Sequence, residues 1–248
     1  MRLLGLDFET TGFDTAKERI TEIGVALWDV ETKRPLMTFG TFCHDETYPE
    51  FPQETLDMMD RVSGITLPML KEFGTPIKGN LEWLEKFTTQ HKINFIVAHN
   101  GESYDKPLLM AELTRHAVQA PTLRSIPWID TRTDIPFASE PDSRKLKHLA
   151  GDHGFLNPFA HRAVFDVLTM LRILSNYDIQ AVLEYQKIPF ITMRALVSFA
   201  DKDLAKAQRY SWEKIGEKTY PKMWVKRVKE NLLEQEKLAC KFQIARIE

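Results

Sequence analysis

Four carboxylates and one histidine are the side chains whose types and spacing could do chemistry together. Asp7 and Glu9 lie two residues apart in a stretch of alternating apolar residues, which places both carboxylates on one face of a predicted strand. Carboxylate oxygens are the ligands that hard divalent cations prefer. The same spacing recurs at Asp29 and Glu31, where a predicted strand meets a turn. The spacing alone therefore does not select a site.

The residues that follow the first pair separate it from the second. The predicted strand runs directly into Thr10, Thr11 and Gly12, small residues whose backbone and hydroxyl groups a ligand can approach closely. We therefore take Asp7 and Glu9 as the candidate metal ligands.

A third carboxylate, Asp105, follows the apolar run 93–98, which predicts a buried strand, and lies in the first turn of a predicted helix. The carboxyl ends of buried strands are where α/β folds build their sites, and His99, Asn100 and Tyr104 bring further polar groups to this end. An acid in the first turn of a helix can equally serve only to complement the helix dipole. The sequence leaves both roles open.

The fourth carboxylate, Asp166, follows His161 at an offset of five positions, which on a helix is a rotation of about 140°. The two side chains cannot share a helix face, so we predict Asp166 on the helix and His161 on the loop after Pro158. Asp166 lies among apolar helix positions, and a buried carboxylate requires a partner. The alternative is an exposed histidine at a helix start and a solvated aspartate.

These five side chains match the requirements of phosphodiester hydrolysis, in which a water is deprotonated, an anionic phosphate is neutralised and a leaving 3' oxygen is stabilised. Two divalent cations about 4 Å apart, held by carboxylates from different parts of a fold, can meet all three requirements. An imidazole, which titrates near neutral pH, can take the proton from the attacking water.

The elements that must position these side chains are predicted to form an α/β fold with a mixed sheet flanked by helices. An antiparallel meander of three strands comes first, at 3–9, 19–30 and 35–42. Residues 44–76 are predicted as an irregular connection with short helical pieces. The remaining strands and helices then alternate: strands 93–98 and 128–130, and helices 79–90, 103–117, 143–152 and 160–176.

The distribution of charge divides the chain near residue 187. Of its 33 basic and 35 acidic residues, 14 and 8 lie in residues 187–248, which therefore carry +6, and the remaining 19 and 27 give residues 1–186 a net charge of −8. Aromatic residues alternate with lysines and arginines in the basic part, a mixture that is typical of surfaces that bind single-stranded nucleic acid. The aromatic residues are Tyr210, Trp212, Tyr220 and Trp224. The alternative is that these rings form the core of a small, soluble module. We predict one domain at 1–186 and a small α+β module at 187–248.

Composition argues against a membrane or secreted protein. The two cysteines, Cys43 and Cys240, are far apart and have no metal-ligand spacing, and no apolar run approaches the roughly 20 residues that span a bilayer. The first residues meet a carboxylate too early for a signal peptide. We expect a cytoplasmic protein without a membrane partner.

Three segments resemble the motifs of one enzyme family. The segments LDFETTG (6–12), VAHNGESYDKPLL (97–109) and HRAVFD (161–166), in this order, resemble the three motifs of the DEDDh (DnaQ-like) 3'-to-5' exonucleases. The middle segment is particularly similar to that of the three-prime repair exonucleases. The resemblance implies a ribonuclease-H-like fold, two Mg²⁺ (or Mn²⁺) ions and the release of nucleoside monophosphates, one at a time, from a 3' end.

The resemblance also implies a role for each of the five residues. Asp7 would bridge both metals, Glu9 and Asp166 would complete the shell of the first, and Asp105 would act mainly through waters of the second. His161 would be the general base.

Further residues and partners follow from the same resemblance. Thr10 and Thr11 are expected to contact the terminal nucleotide, and His99 and Asn100 to shape the site. DNA 3' ends, single-stranded or frayed, are the expected substrate. An exoribonuclease is an alternative because the same five residues serve both, and a non-catalytic nucleic-acid-binding or polymerase-associated module is another. A polymerase or another replication or repair protein is the candidate partner.

Overall fold

The structure is a computed structural model that describes residues 1–44, 46, 48–214 and 222–247. The chain divides into two compact units, Met1–Tyr185 and Gln186–Glu248, each with its own hydrophobic core. Tyr220, one of the four aromatic residues of the basic part, lies outside the described residues.

A five-stranded mixed sheet forms the centre of the first unit. Its strands are β1 (Arg2–Thr10), β2 (Ile20–Asp29), β3 (Arg34–Phe42), β4 (Phe95–Ala98) and β5 (Trp128–Asp130), in the spatial order β3-β2-β1-β4-β5. The pairs β1–β2 and β2–β3 are antiparallel, whereas β1–β4 and β4–β5 are parallel. The predicted meander with added parallel strands is confirmed.

Helices cover the sheet of the first unit. They are α1 (Gln53–Ser63), α2 (Leu67–Phe73), α3 (Ile77–Gln90), α4 (Asp105–Arg115), α5 (Pro121–Ser125), α6 (Leu146–Asp152), α7 (Ala163–Leu174) and α8 (Ile179–Lys187). Most predicted helices are shorter in the structure, and α5 and α8 had no counterpart in the sequence prediction. Among the described residues, no helix has the length and apolar character of a membrane span.

The side chains of β1 alternate between the two faces of the sheet, as its sequence predicts. Leu4, Leu6 and Phe8 are buried in the core cluster that also contains residues of α3 and α4. The other face of β1 lies against α7. A side chain at Gly5 would come within 2.6 Å of Leu171 on that helix, so glycine is what allows the helix to lie directly on the strand.

A second close approach fixes the start of α7 on the neighbouring strand. A Cβ at Gly24 in β2 would lie 2.3 Å from backbone atoms of Ala163 and Val164, the first two residues of the helix. Gly24 is the antiparallel partner of Asp7. The beginning of α7 is therefore held at the carboxyl end of β1, on the face to which Asp7 and Glu9 belong.

The second unit is built on a four-stranded antiparallel sheet in the order β7-β8-β6-β9. Its elements are β6 (Phe190–Leu196), α9 (Lys202–Ala207), β7 (Ser211–Glu213), β8 (Met223–Lys229), a 3₁₀ turn (Glu230–Leu232), α10 (Leu233–Ala239) and β9 (Gln243–Arg246). Ile191, Met193 and Val228 are buried in its core together with Ala205 of α9 and Tyr210. This is the small α+β architecture that the sequence predicts.

Candidate active site

Asp7 and Glu9 lie near the carboxyl end of β1 and are surrounded by other acids. Burial raises the pKa of Asp7 well above its usual range, and the negative charges of Asp105, Glu9 and Asp166 raise it further. The pKa of Glu9 is raised to about 8, first by burial and then by Asp166 and Glu22. Each of these carboxylates is therefore destabilised in its charged form by the others, as in a site that concentrates negative charge for a cation.

Asp105 is the first residue of α4 and follows β4, the parallel neighbour of β1. Its side chain is buried, and its Oδ1 atom has no hydrogen-bond partner in the part of the chain that the structure describes. Burial is the main cause that raises its pKa to about 7, although backbone N–H groups of Asp105 and Phe8 oppose the shift. A buried carboxylate oxygen without a donor is costly unless a ligand supplies the missing partner.

Asp166 lies in the first turn of α7, and both of its carboxylate oxygens accept a hydrogen bond. Asn157 Nδ2 donates to Oδ1 (2.6 Å), and the backbone N–H of His161 donates to Oδ2 (3.1 Å). Burial raises the pKa of Asp166, and the hydrogen bond from His161 lowers it. The loop that carries His161 is thus tied to the carboxylate beside it.

His161 is exposed and precedes α7, which begins at Ala163. Its backbone has a φ of 63°, in the left-handed region that non-glycine residues rarely adopt. The turn brings the imidazole to the carboxylates, since one candidate ligand atom from each of Glu9, His161 and Asp166 lies within 4.8 Å of the others. Strained backbone of this kind is often found at functional positions.

Glu22 is a residue of the site that the sequence analysis missed. It faces Glu9 in the antiparallel register of β1 and β2 and is buried. Its carboxylate accepts hydrogen bonds from Arg162 Nε (3.1 Å) and Nη2 (3.0 Å) and from the backbone N–H of Ala163 (3.2 Å). A charge in the middle of the apolar strand 20–28 was the available signal, because a buried carboxylate needs a partner.

Glu22 therefore fixes the residue that follows His161. Arg162 is held by this ion pair on one side, and its guanidinium lies 5.1 Å from the centre of the Phe42 ring. His161 is thereby held at two points, because its own N–H is bonded to Asp166 and the residue that follows it is paired with Glu22.

The two threonines after Glu9 are engaged in the loop that begins there. Thr10 Oγ1 donates to the carbonyl of Gly12 (2.9 Å) and bonds the hydroxyl of Tyr104. Thr11 is buried, and its Oγ1 donates to Glu18 and accepts the backbone N–H of Arg19 (2.9 Å). These bonds shape the loop at the mouth of the site. Contact of either threonine with a nucleotide stays a prediction.

His99 and Asn100 lie in the loop between β4 and α4. His99 Nε2 donates to the carbonyl of Arg144 (2.9 Å), which leaves Nδ1 to accept from Thr131 Oγ1 (3.0 Å). Burial lowers the pKa of His99 to about 4, so the ring is neutral at physiological pH. Both ring nitrogens are used within the protein, which makes His99 a support for the loop that leads to Asp105.

Asn100 supports the same loop through its backbone. Its φ of 70° is left-handed, its N–H donates to Asp130 Oδ1 (2.8 Å), and its side-chain oxygen accepts from Arg132 Nη1 (3.1 Å). Asp130 is buried at the end of β5 and also accepts from the N–H of Glu102 (3.4 Å). The polar end of β5 therefore holds the turn that positions α4.

Exposed aromatic rings accompany the site and had not been identified as part of it. Phe13 follows the Thr10–Gly12 segment and is 83% exposed. Phe159 and Phe165 flank His161 in the sequence, and their ring centres lie 4.8 Å apart. The Phe159–Phe165 pair is an exposed apolar contact beside the loop of His161, a surface that a flat ligand can cover.

The arrangement fits divalent cations. The charges of Asp105 and Asp166 raise the pKa of Asp7 and that of Glu9, and Asp105 has a buried oxygen atom without a donor among the described residues. Oxygen ligands of this kind suit hard cations such as Mg²⁺. A cation among these acids would remove their mutual repulsion and supply the missing partner.

Comparison with known proteins agrees with this geometry. The model of the Exonuclease family matches residues 4–174. No curated protein matches the chain.

Solved structures with this fold include several exonucleases. The nuclease domain of 3'hExo, a DEDDh family member crystallised with rAMP, aligns with a TM-score of 0.59 at 16% identity and covers 71% of this chain and 90% of its own. E. coli Exonuclease I in complex with a dT13 oligonucleotide aligns with a TM-score of 0.63 at 13% identity, over 99% of this chain and 65% of its own. At these identities the structural likeness supports the fold, and the family model supports the membership. The chain therefore belongs to the Exonuclease family, whose model it matches over more than half of its length.

Proposed function

We propose that the protein hydrolyses phosphodiester bonds at DNA 3' ends, with single-stranded or frayed ends preferred, and releases nucleoside 5'-monophosphates. The observation that carries the proposal is the meeting of Glu9, His161 and Asp166, whose candidate ligand atoms lie within 4.8 Å of one another. Asp7 and Asp105 belong to the same cluster, since the charge of Asp105 acts on the pKa of Asp7. A base and four acids in one place are the components that hydrolysis of a phosphodiester requires.

Two Mg²⁺ ions, or Mn²⁺ ions, are the proposed cofactor. Asp7, Glu9, Asp105 and Asp166 would hold them. When bound, such ions neutralise the scissile phosphate, lower the pKa of the attacking water and stabilise the leaving oxygen.

His161 is the proposed general base. Its backbone N–H is fixed on Asp166, and the following residue is fixed on Glu22, so the imidazole is kept at the carboxylate cluster while its own ring stays exposed. A base must lie within hydrogen-bond reach of the proton that it accepts, directly or through one water. The exposure of His161 allows it to contact the attacking water and to pass the proton to solvent.

The surroundings favour an unpaired 3' end. Phe13 and the Phe159–Phe165 pair offer exposed rings on which terminal bases can stack, and a base that has left the duplex is free to turn its face to them. A carboxylate-lined site also repels the second phosphate backbone of a duplex. An exoribonuclease would use the same five residues, so the sugar preference must be measured.

The test uses 5'-labelled DNA and RNA oligonucleotides of one sequence, as single strands and as blunt duplexes, with Mg²⁺, Mn²⁺ or EDTA. We expect a ladder that shortens from the 3' end, nucleoside 5'-monophosphates as products, and faster cleavage of single-stranded DNA than of duplex DNA or RNA. Faster cleavage of RNA would overturn the DNA preference. Cleavage that survives EDTA would overturn the metal dependence.

A second control separates an enzyme from a binding module. If the oligonucleotides bind but stay intact with either metal, the non-catalytic alternative is correct. A polymerase or another replication or repair partner stays a prediction.

A further inference from the structure

The second unit carries a surface strip of rings and lysines that the exonuclease chemistry does not use. We define the aromatic–lysine strip by its five residues: Phe199, Lys202, Lys206, Trp212 and Trp224. We propose that this strip is a second binding site for nucleic acid, which takes single-stranded DNA without regard to its sequence.

The strip is continuous through its own contacts. Lys202 Nζ lies 4.0 Å from the centre of the Phe199 ring, and Lys206 Nζ lies 5.9 Å from the Trp224 ring. The centres of the Trp212 and Trp224 rings are 5.3 Å apart. Lys202 and Lys206 are four residues apart on α9 and therefore share a face of that helix. The two aromatic ends of the strip are thus joined by two cations.

The rings are available to a ligand. Phe199 is 84% exposed and Trp212 is 52% exposed. Trp224 is partly buried and packs against the core of the unit, which contains Ile191, Met193 and Tyr210. The sequence left open whether the aromatic residues of this part form a core or a surface. Tyr210 belongs to the core, whereas Trp212 and Phe199 belong to the surface.

The chemistry of the strip favours single-stranded nucleic acid over a protein partner. A ring surface that docks protein is apolar and continuous, whereas here lysines lie over the Phe199 and Trp224 rings and would have to be desolvated in a dry interface. Bases stack on such rings and phosphates bind such lysines, so both kinds of side chain gain a partner. Asp203 forms an ion pair with Lys206, with Oδ1 and Nζ 3.0 Å apart. Lys202 is the other cation on this face of α9.

The charge of the whole unit points to the same ligand. Residues 187–248 contain 14 basic and 8 acidic residues, a net charge of +6, which attracts a polyanion over distances longer than a contact. Stacking does not discriminate among bases because each base has a flat face. The strip is therefore expected to bind strands of any sequence.

The choice of DNA as the ligand rests on the proposed function, so the test measures binding without cleavage. The full chain is titrated in EDTA into a fluorescent single-stranded DNA of about 16 nucleotides, which is the upper end of the site size of one small domain. We expect Trp212→Ala to weaken binding by about tenfold, since one stacked base is lost, and Trp212→Phe to retain most of the affinity. The thermal midpoint of each variant reports whether its fold is intact.

The lysines are tested by the salt dependence of the same binding. Replacing both Lys202 and Lys206 by glutamine should lower the slope of log Kd against log salt concentration by about 1.4, or about 0.7 for each lost phosphate contact on a single strand. The matched control replaces Lys237 and Lys241 by glutamine as well. These substitutions remove the same charge from the same unit, but outside the strip. An equal effect of the control pair would overturn the proposal that the strip binds DNA. It would leave only a general attraction between the charge of the unit and DNA.

Two further outcomes would overturn the proposal. Wild-type affinity of Trp212→Ala would exclude stacking on this ring. A change in sedimentation of Trp212→Ala with unchanged DNA affinity would show that the strip is an interface between protein chains. Failure of the proposed function has a different signature, because a chain that never cleaves DNA with Mg²⁺ can still lose DNA binding in EDTA when Trp212 is replaced.

Discussion

Two Asp-x-Glu pairs occur in the first unit, and their surroundings are opposite. Asp7 and Glu9 lie near the carboxyl end of β1, where burial and the charges of other acids raise the pKa of both. Asp29 ends the neighbouring strand β2, and its carboxylate accepts hydrogen bonds from Thr32 Oγ1 (2.7 Å) and Thr32 N (3.0 Å), which lower its pKa. The acids around Asp7 raise its pKa, whereas the hydrogen bonds within its own turn lower the pKa of Asp29.

The spacing of two acids therefore carries little information until the rest of the fold is known. β1 and β2 are antiparallel, so the carboxyl ends of the two strands lie at opposite edges of the sheet. Only the edge of Asp7 receives α4 and α7, which bring Asp105 and Asp166. A pair of acids becomes a cation site where other elements add further acids, and a pair at the other edge remains part of a turn.

The largest difference between the two pairs should appear in the rate of cleavage. We expect Asp7→Asn to lower kcat by about 10³-fold, because a neutral amide brings no negative charge to the cation site and is a weaker ligand than a carboxylate. The matched variant Asp29→Asn should cleave as the wild type does. Both rates are measured on single-stranded DNA with saturating Mg²⁺. Equal rates for the two variants would remove the functional distinction between the two pairs.

The second difference is the presence of a base beside the first pair. We expect His161→Ala to lower kcat by about 10²-fold, within the range for loss of a general base, with little change in the concentration of Mn²⁺ needed for half-maximal activity. His148 is also exposed and provides the control, since His148→Ala should not affect kcat. A large shift in the Mn²⁺ requirement of His161→Ala would identify the imidazole as a metal ligand instead of the base.

The sequence predicted those parts of the site that depend on local pattern. The alternation of β1 placed Asp7 and Glu9 on one face, and the helical offset placed His161 before α7, where the structure has it. The roles of the five residues stay predictions that the two experiments above test. The mixed sheet followed from the order of strands and helices, and its topology is confirmed.

The sequence did not identify the residues whose role depends on pairing between distant segments. Glu22 is 140 positions from Arg162, and no local pattern joins them. Asn157 reaches Asp166 from a loop whose path was not predicted. His99 was expected to shape the site, but only the structure shows that Thr131 and the carbonyl of Arg144 hold its ring. Long-range hydrogen bonds of this kind follow from the packing of the fold.

A smaller fall in kcat is expected for substitution of Glu22, which acts through Arg162, the residue next to the base. Glu22→Gln keeps the size of the side chain but removes the charge that holds Arg162. We expect kcat to fall by about tenfold with little change in KM, because a misplaced base slows the chemical step more than it weakens binding.

A double-mutant cycle shows whether this effect runs through the ion pair. If it does, Arg162→Gln and the double variant with Glu22→Gln should lower kcat by about as much as the single Glu22 variant. Glu31→Gln, at the exposed acid of the second pair, is the matched control and should have no effect. Additive losses would show that the two residues act separately.

The smallest effect concerns the stability of the metal-free protein. In EDTA, the folded protein keeps protons on Glu9, with a pKa of about 8, and on Asp105, with a pKa of about 7, whereas the unfolded chain releases them near the ordinary values of 4.5 and 3.8. Because the folded state binds more protons in this window, these two groups should make the free energy of unfolding fall as the pH rises from about 4 to about 8.

Substitution of one acid from each pair isolates this contribution. Glu9→Gln should flatten the decline in the free energy of unfolding, measured by urea denaturation in EDTA between these pH values, whereas Glu31→Gln should leave the slope of the wild type. Saturating Mg²⁺ should flatten the decline in the wild type, since a bound cation keeps the acids ionised in the folded state. A slope that neither Glu9→Gln nor Mg²⁺ changes would show that burial and the neighbouring acids do not raise the pKa of Glu9 in the folded protein.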